Sequence, residues 1–238
     1  MISVDTECKP GHKGGYEHEH HGHTVTEEII CHLPYAIFSV AFGLAILSFF
    51  AYSSIVVSTD TCELSRGCHL LFHSFHFMHV AFAATGTMIT FLRFSKNVVK
   101  ALISGAISTI VFCTLSDSVL PYIGGKLLGV NMYLHVCFFT ELSNVLPFLF
   151  VGLLNGYVMS RHHASRQGFY SIFSHFVHIL ISSFAAIFYL VSHGFTTWYL
   201  SIGPVFLFLV VAVVVPCTLS DVVVPMTFAR AGKTHEKH

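Results

Sequence analysis

Six long apolar stretches, separated by short polar segments, follow a polar N-terminal region. Each stretch is close to the roughly 20 residues that a helix needs to cross a bilayer. The apolar residues are continuous and do not alternate with polar ones, which favours helices over strands. The predicted spans are 29–52, 69–92, 98–121, 138–159, 169–192 and 198–225. The pattern therefore predicts an all-α transmembrane bundle with six spans.

Three short motifs occur twice along these spans, in the same order. Glu28, Pro34 and Gly43 match Glu141, Pro147 and Gly156; HFxH at 76–79 matches HFxH at 175–178; and CTLSD at 113–117 matches CTLSD at 217–221. Each copy holds three spans, and an odd number places the second copy in the membrane with the opposite orientation. The sequence thus predicts two three-helix repeats of inverted topology.

These markers divide the chain into four parts. Residues 1–24 form a His-rich tail that is expected to be disordered, 25–130 the first repeat, 131–228 the second repeat, and 229–238 a short tail. The histidines of the first tail either bind metal or are simply solvated.

Composition supports a membrane protein. Charged residues make up 10% of the chain and apolar residues 54%, with a mean hydropathy of +0.71, whereas soluble domains carry about 25% charged residues. The formal net charge is zero, which gives no reason to expect a nucleic-acid partner. GxSxG, P-loop and GxGxxG motifs do not occur, so the chain is not expected to be an enzyme.

The basic residues predict the orientation. Ten fall on one set of loops and tails, and only Arg66 and Lys126 on the other. The positive-inside rule then places both termini in the cytoplasm, in a plasma membrane or a bacterial inner membrane. Cys62 and Cys68 fall in the first outer loop, where they form a disulfide or remain free thiols.

Span direction and motif order predict two layers of polar residues at different depths. The outer layer holds His76, His79, Asp117 and Glu141, and the inner layer holds His175, His178, Asp221 and Glu28. Residues three apart share a helix face, so each HxxH offers two imidazoles to one ion. With carboxylates they suit zinc, nickel, cobalt, iron or manganese. His69 and His73 extend the histidine stripe towards the outside.

Other polar residues receive a structural interpretation. Cys113 and Cys217 precede the aspartates by four residues, and packing is favoured over a role as soft ligands. His32, His135 and His193 have no repeat partner, so inter-helix hydrogen bonds are expected for them.

The leading hypothesis is a permease whose substrate is a divalent transition-metal cation. The alternatives are a membrane haem protein with ligands such as His76 and His175, a proton or small-solute channel, and a membrane scaffold. Expected partners are the lipid bilayer, the metal ion and a second copy in a homo-oligomer. Six spans, inner termini, paired ligands on spans 2 and 5 and a His-rich tail resemble the layout of cation diffusion facilitators, but no longer motif matches, and the sequence assigns no family.

Overall fold

A computed structural model describes residues 25–57, 61–162 and 167–235. The His-rich tail, with its predicted metal binding, lies outside the described residues. Within those ranges every regular element is helical. The α-helices are α1 Val25–Val56, α2 Thr61–Phe94, α3 Val98–Thr114, α4 Leu120–Leu127, α5 Cys137–Thr140, α6 Leu142–His162, α7 Gln167–Ser192, α8 Ile202–Thr218 and α9 Val224–His235. A 3-10 turn, Trp198–Ser201, precedes α8.

Two further segments are π-helical and join α-helices end to end. Leu115–Val119 links α3 to α4, and Leu219–Val223 links α8 to α9. Six continuous stretches are thereby long and apolar enough to cross a membrane. They are Val25–Val56, Glu63–Phe94, Val98–Leu127, Leu142–Arg161, His175–Ser192 and Trp198–Ala229. The architecture is that of a multi-pass membrane protein, as the apolar pattern predicted.

α2 and α7 pack against each other at the centre of the bundle, with α6 and α3 beside α2, and α1 and α8 beside α7. In the second half of α7, from Ile179 to Val191, every residue except the partly buried Leu180 is buried. α1 and α6 expose large apolar side chains such as Phe49 and Phe150. Apolar exposure on the outer helices is what a lipid-facing surface requires, and it leaves α2 and α7 to carry the polar interior.

Glycines allow the helices to approach closely. A Cβ at Gly152 of α6 would lie 2.4 Å from the carbonyl oxygen of Ala81 on α2, and one at Gly156 would lie 2.7 Å from the Cβ of Met88. On the other side of the bundle, a Cβ at Gly43 of α1 would lie 2.5 Å from Cδ1 of Ile187 on α7. Small residues at such crossings are typical of packed membrane helices.

The first loop shows no bridge between the two cysteines predicted to lie in it. Cys68 is a free thiol, buried within α2. The disulfide option for Cys62 and Cys68 is therefore not realised, and Cys68 packs as a small apolar residue.

Candidate metal centre

Both CTLSD stretches coincide with a change from α to π geometry. Asp117 lies within the first π segment and Asp221 within the second, and both side chains are buried. A π turn breaks the regular ladder of helical hydrogen bonds, and such turns are frequent at functional sites. The Ser220 carbonyl accepts a hydrogen bond from the Thr87 hydroxyl across the bundle at 3.1 Å. Each aspartate thus lies on irregular backbone, and the second π segment is supported by a hydrogen bond from α2.

Asp117 accepts four hydrogen bonds. Its Oδ2 accepts from Nδ1 of His76 at 2.9 Å and from Nδ1 of His79 at 2.7 Å. Its Oδ1 accepts from the hydroxyls of Ser116 at 2.7 Å and Ser182 at 3.0 Å. A buried carboxylate is costly unless it is paired and hydrogen-bonded, and here both oxygens have donors.

Asp221 repeats half of this arrangement. Its Oδ2 accepts from Nδ1 of His175 at 3.2 Å and from Nδ1 of His178 at 2.5 Å. Its Oδ1 is buried and has no hydrogen-bond partner in the part of the chain that the structure describes. A Cβ at Gly86 on α2 would lie 3.2 Å from Oδ2, so the missing side chain gives the carboxylate its space. The Asp221 carboxylate therefore has fewer hydrogen-bond donors than the Asp117 carboxylate.

The two His–Asp groups meet at the bundle centre. Nε2 of His79 lies 2.5 Å from Nε2 of His178. A carboxylate accepts hydrogen bonds, so Nδ1 of each ring carries the proton and Nε2 is directed away from its aspartate. The two Nε2 lone pairs therefore face each other, and one additional proton or a cation between them would join Asp117 to Asp221 through both imidazoles. The sequence placed these groups in two separate layers; direct packing of α2 on α7 brings them into contact.

Two buried thiols lie beside this contact. Sγ of Cys113 and Sγ of Cys217 are each 3.8 Å from Nε2 of His79. One donor atom each from His79, His178 and Cys217 lie within 4.8 Å of one another. We call these three residues the central site. Nitrogen and sulfur donors together suit zinc and other borderline or soft cations.

No known protein family, curated protein or solved structure matches this chain. The protein is a membrane-spanning helical bundle with buried histidine and cysteine groups that could hold a metal. Function has to be inferred from the chemistry of these groups.

The cysteines were the part of the site that the sequence interpretation set aside. Both belong to the duplicated motif, four residues before an aspartate that the HxxH pairs contact. Helix periodicity already placed them on the aspartate side. Their position in the motif, more than their residue type, was the available signal.

The two glutamates lie elsewhere. Within the described ranges, neither carboxylate is hydrogen-bonded to a histidine of the HxxH pairs. The Glu141 carboxylate accepts from the Asn144 side chain at 2.6 Å, at the start of α6. The backbone carbonyl of Glu28 accepts from Nδ1 of His32 at 2.6 Å. The structure therefore joins six of the eight predicted site residues around two aspartates and leaves the glutamates at the ends of their helices.

Among the described residues, the rings of the histidines without a repeat partner are hydrogen-bonded to residues four or five positions away in the sequence. Nδ1 of His193 donates to the Tyr189 carbonyl four residues earlier at 3.0 Å, as His32 does with Glu28. Burial lowers the pKa of His193 to about 4. The pKa of His135 is also lowered, by burial and by neighbouring histidines, while the Glu141 carboxylate opposes this shift. Both rings are therefore neutral at physiological pH.

Proposed function

We propose that this protein is a permease that moves a divalent transition-metal cation across a membrane through the central site. The observation that carries the proposal is the convergence of two aspartate-bound imidazoles and a thiol on one buried point. His79 comes from α2, His178 from α7 and Cys217 from α8. A non-transporting scaffold would have no need to bury such donors together, because unpaired polar groups are costly in lipid.

The aspartates accept the kind of hydrogen bond that metal-binding histidines usually donate. A ligating imidazole generally donates its other N–H to a carboxylate, which fixes the ring and raises its basicity. Asp117 does this for His79 and Asp221 for His178. The substrate class is zinc or a similar borderline cation, since thiol and imidazole donors favour these over magnesium or calcium.

Matching contacts in the two halves support a permease built from inverted repeats. His79 and His178 are 99 positions apart, and the same spacing relates Met88, which meets Gly156, to Ile187, which meets Gly43. In inverted-repeat transporters the substrate site lies between the halves, near the middle of the membrane. The distribution of basic residues favours cytoplasmic termini, in a plasma membrane or bacterial inner membrane.

Haem fits this arrangement poorly. Two axial imidazoles must stand on opposite faces of a macrocycle, and the 2.5 Å between Nε2 of His79 and Nε2 of His178 leaves no space for one.

Proton conduction is the second candidate, and one observation favours it. A proton that binds between the facing Nε2 atoms of His79 and His178 could pass from one half to the other, because imidazole both donates and accepts. The thiols distinguish the candidates: a proton path does not use Cys217, whereas a metal site does.

The test is flux into liposomes that contain the full-length protein, with a zinc-sensitive dye in one preparation and a pH-sensitive dye in another. Zinc flux per folded molecule is expected to fall at least about tenfold in His178→Gln and in Cys217→Ser. Cys68→Ser, which alters a buried cysteine outside the central site, is the matched control and should retain flux. Unchanged zinc flux in both central-site variants would refute the permease. Proton flux that survives Cys217→Ser, without zinc flux in the wild type, would establish the second candidate.

A further inference from the structure

A second group of donors lies near the beginning of α2 and in the connection between α4 and α6. His73 is on α2, His135 precedes α5, and Cys137 is the first residue of α5. One donor atom from each lies within 4.8 Å of the others. Cys137 is buried and the two histidines are half-buried. This trio is made from segments of both halves of the chain, so it is not a product of neighbouring positions in one helix.

We propose that His73, His135 and Cys137 form a second metal-binding site, the mouth site, which takes the same class of borderline divalent cation and passes it to the central site. Metal binding at the mouth site stands on its own residues. Its role in delivery rests on the proposed permease function.

On each ring a hydrogen bond engages one nitrogen, and the other nitrogen keeps a lone pair. Nδ1 of His73 donates to the His69 carbonyl at 2.9 Å, so its Nε2 carries the lone pair. The Thr140 hydroxyl uses its one hydrogen on the Val136 carbonyl and therefore accepts from Nε2 of His135 at 3.3 Å. Nδ1 of His135 then carries the lone pair. Each imidazole in its neutral form can therefore donate a lone pair to a metal ion.

An unpaired nitrogen beside the mouth site indicates independently that a polar group or ion binds there. The ring of His193 is fully buried and stacks on His135 with centroids 5.5 Å apart. Its Nε2 has no hydrogen-bond partner within the described ranges. Buried polar nitrogens are rarely left unpaired.

The mouth site is reachable from the surface and is aligned with the central site. A cavity of about 500 Å³ is lined by Glu63, Arg66, His69 and His73, among others, so His73 belongs to both the cavity and the trio. His73 precedes His79 by six positions on α2, which corresponds to about 9 Å along the helix axis. His76 lies between them. A cation can thus pass from the cavity to the mouth site and then inward along one stripe of histidines, and several sites of moderate affinity favour conduction over trapping.

The donor set defines the ligand class. Two imidazole nitrogens and one thiolate match three of the four positions of a tetrahedral zinc site and leave one open. An open position allows a ligand from the next site to take over the ion. Oxygen-seeking cations such as magnesium and calcium find no suitable donors in this trio.

The test uses cobalt as a spectroscopic substitute for zinc, because a bond between cobalt and thiolate gives a near-ultraviolet absorption band. The full-length protein carries Cys113→Ser and Cys217→Ser, so that the central thiols do not contribute. The band is expected to remain in this background, to disappear on adding Cys137→Ala, and to persist on adding Cys68→Ala as the matched control. A band of unchanged intensity after Cys137→Ala overturns the mouth site.

A second variant keeps the test decisive if Cys137→Ala does not fold. His135→Gln in the same background should weaken cobalt binding at least about tenfold, as loss of one ligand should. Unchanged cobalt affinity would also overturn the proposal. The two functional claims separate cleanly: a cobalt band that depends on Cys137, in a protein that moves no zinc, would leave the mouth site standing and remove the permease.

Discussion

Replacing Asp117 with asparagine separates the charge of the carboxylate from its hydrogen bonds. The amide oxygen can take the place of Oδ2 and accept from His76 and His79. The amide nitrogen then faces the hydroxyls of Ser116 and Ser182, which can rotate to accept. Shape and hydrogen-bond number are kept, and only the negative charge behind His79 is lost.

The expected loss is in metal affinity. Changes to a residue that supports a metal-binding histidine typically cost 10–100-fold in affinity, which corresponds to about 1.4–2.8 kcal/mol. Ser182→Ala is the matched control, because it removes one hydrogen bond at 3.0 Å from Oδ1 and leaves the charge in place. It should reduce stability by about 0.6–2 kcal/mol, the range for hydrogen bonds between membrane helices, and change metal affinity by less than about threefold.

The assay is a cobalt titration of the purified full-length protein, with thermal unfolding measured on the same samples. A Cys137→Ala background removes the contribution of the mouth site, so the thiolate band reports the central site. Wild-type affinity in a folded Asp117→Asn protein would refute the supporting role of the carboxylate. So would an affinity loss in Ser182→Ala as large as that in Asp117→Asn, because the effect would then follow packing and not charge.

Three further predictions concern stability and orientation. Folding lowers the pKa of His193 from 6.5 to about 4. Between these pH values the unfolded chain takes up a proton that the folded protein does not, so stability present above pH 6.5 is lost as pH falls towards 4. His193→Phe should therefore lose less thermal stability between pH 7 and pH 5 than the wild type, and equal losses would contradict this. Gly152→Ala places a Cβ 2.4 Å from the Ala81 carbonyl oxygen, whereas a Cβ at Gly67 meets nothing within 4 Å. Thermal unfolding should therefore show Gly152→Ala to be less stable than Gly67→Ala by about 1–3 kcal/mol. Similar stabilities would argue against the close crossing of α2 and α6. A cysteine at the exposed Leu127 should react with a membrane-impermeant thiol reagent on intact cells while a C-terminal tag stays protected, and the reverse pattern would invert the proposed orientation.

The apolar pattern was sufficient to predict the six spans, because a bilayer sets both the length and the composition of a helix that crosses it. The duplicated motifs went further. Their order along the chain grouped His76 and His79 with Asp117, and His175 and His178 with Asp221, and the structure hydrogen-bonds each group internally. Periodicity along a single helix is enough for such a grouping.

Distances between helices were not predictable in the same way. A motif gives the depth of a residue but not the tilt of its helix, so the contact between His79 and His178 appeared only in the structure. His135 and Cys137 lie at a short helix in a connecting segment, where no periodicity exists to place them beside His73. The glutamates also matched in sequence, but among the described residues the Glu141 carboxylate is hydrogen-bonded to Asn144 where α6 begins and to no histidine of the HxxH pairs.

The 2.5 Å separation of Nε2 of His79 and Nε2 of His178 has a mechanical consequence. A tetrahedral ion bonded to both nitrogens at 2.0–2.1 Å would hold them about 3.3 Å apart. If the proposed ion binds there, the two imidazoles have to move apart by close to 1 Å, and they can close again when it leaves. Because these imidazoles belong to α2 and α7, which pack together at the centre of the bundle, occupancy of the proposed site would be coupled to the spacing of these two helices.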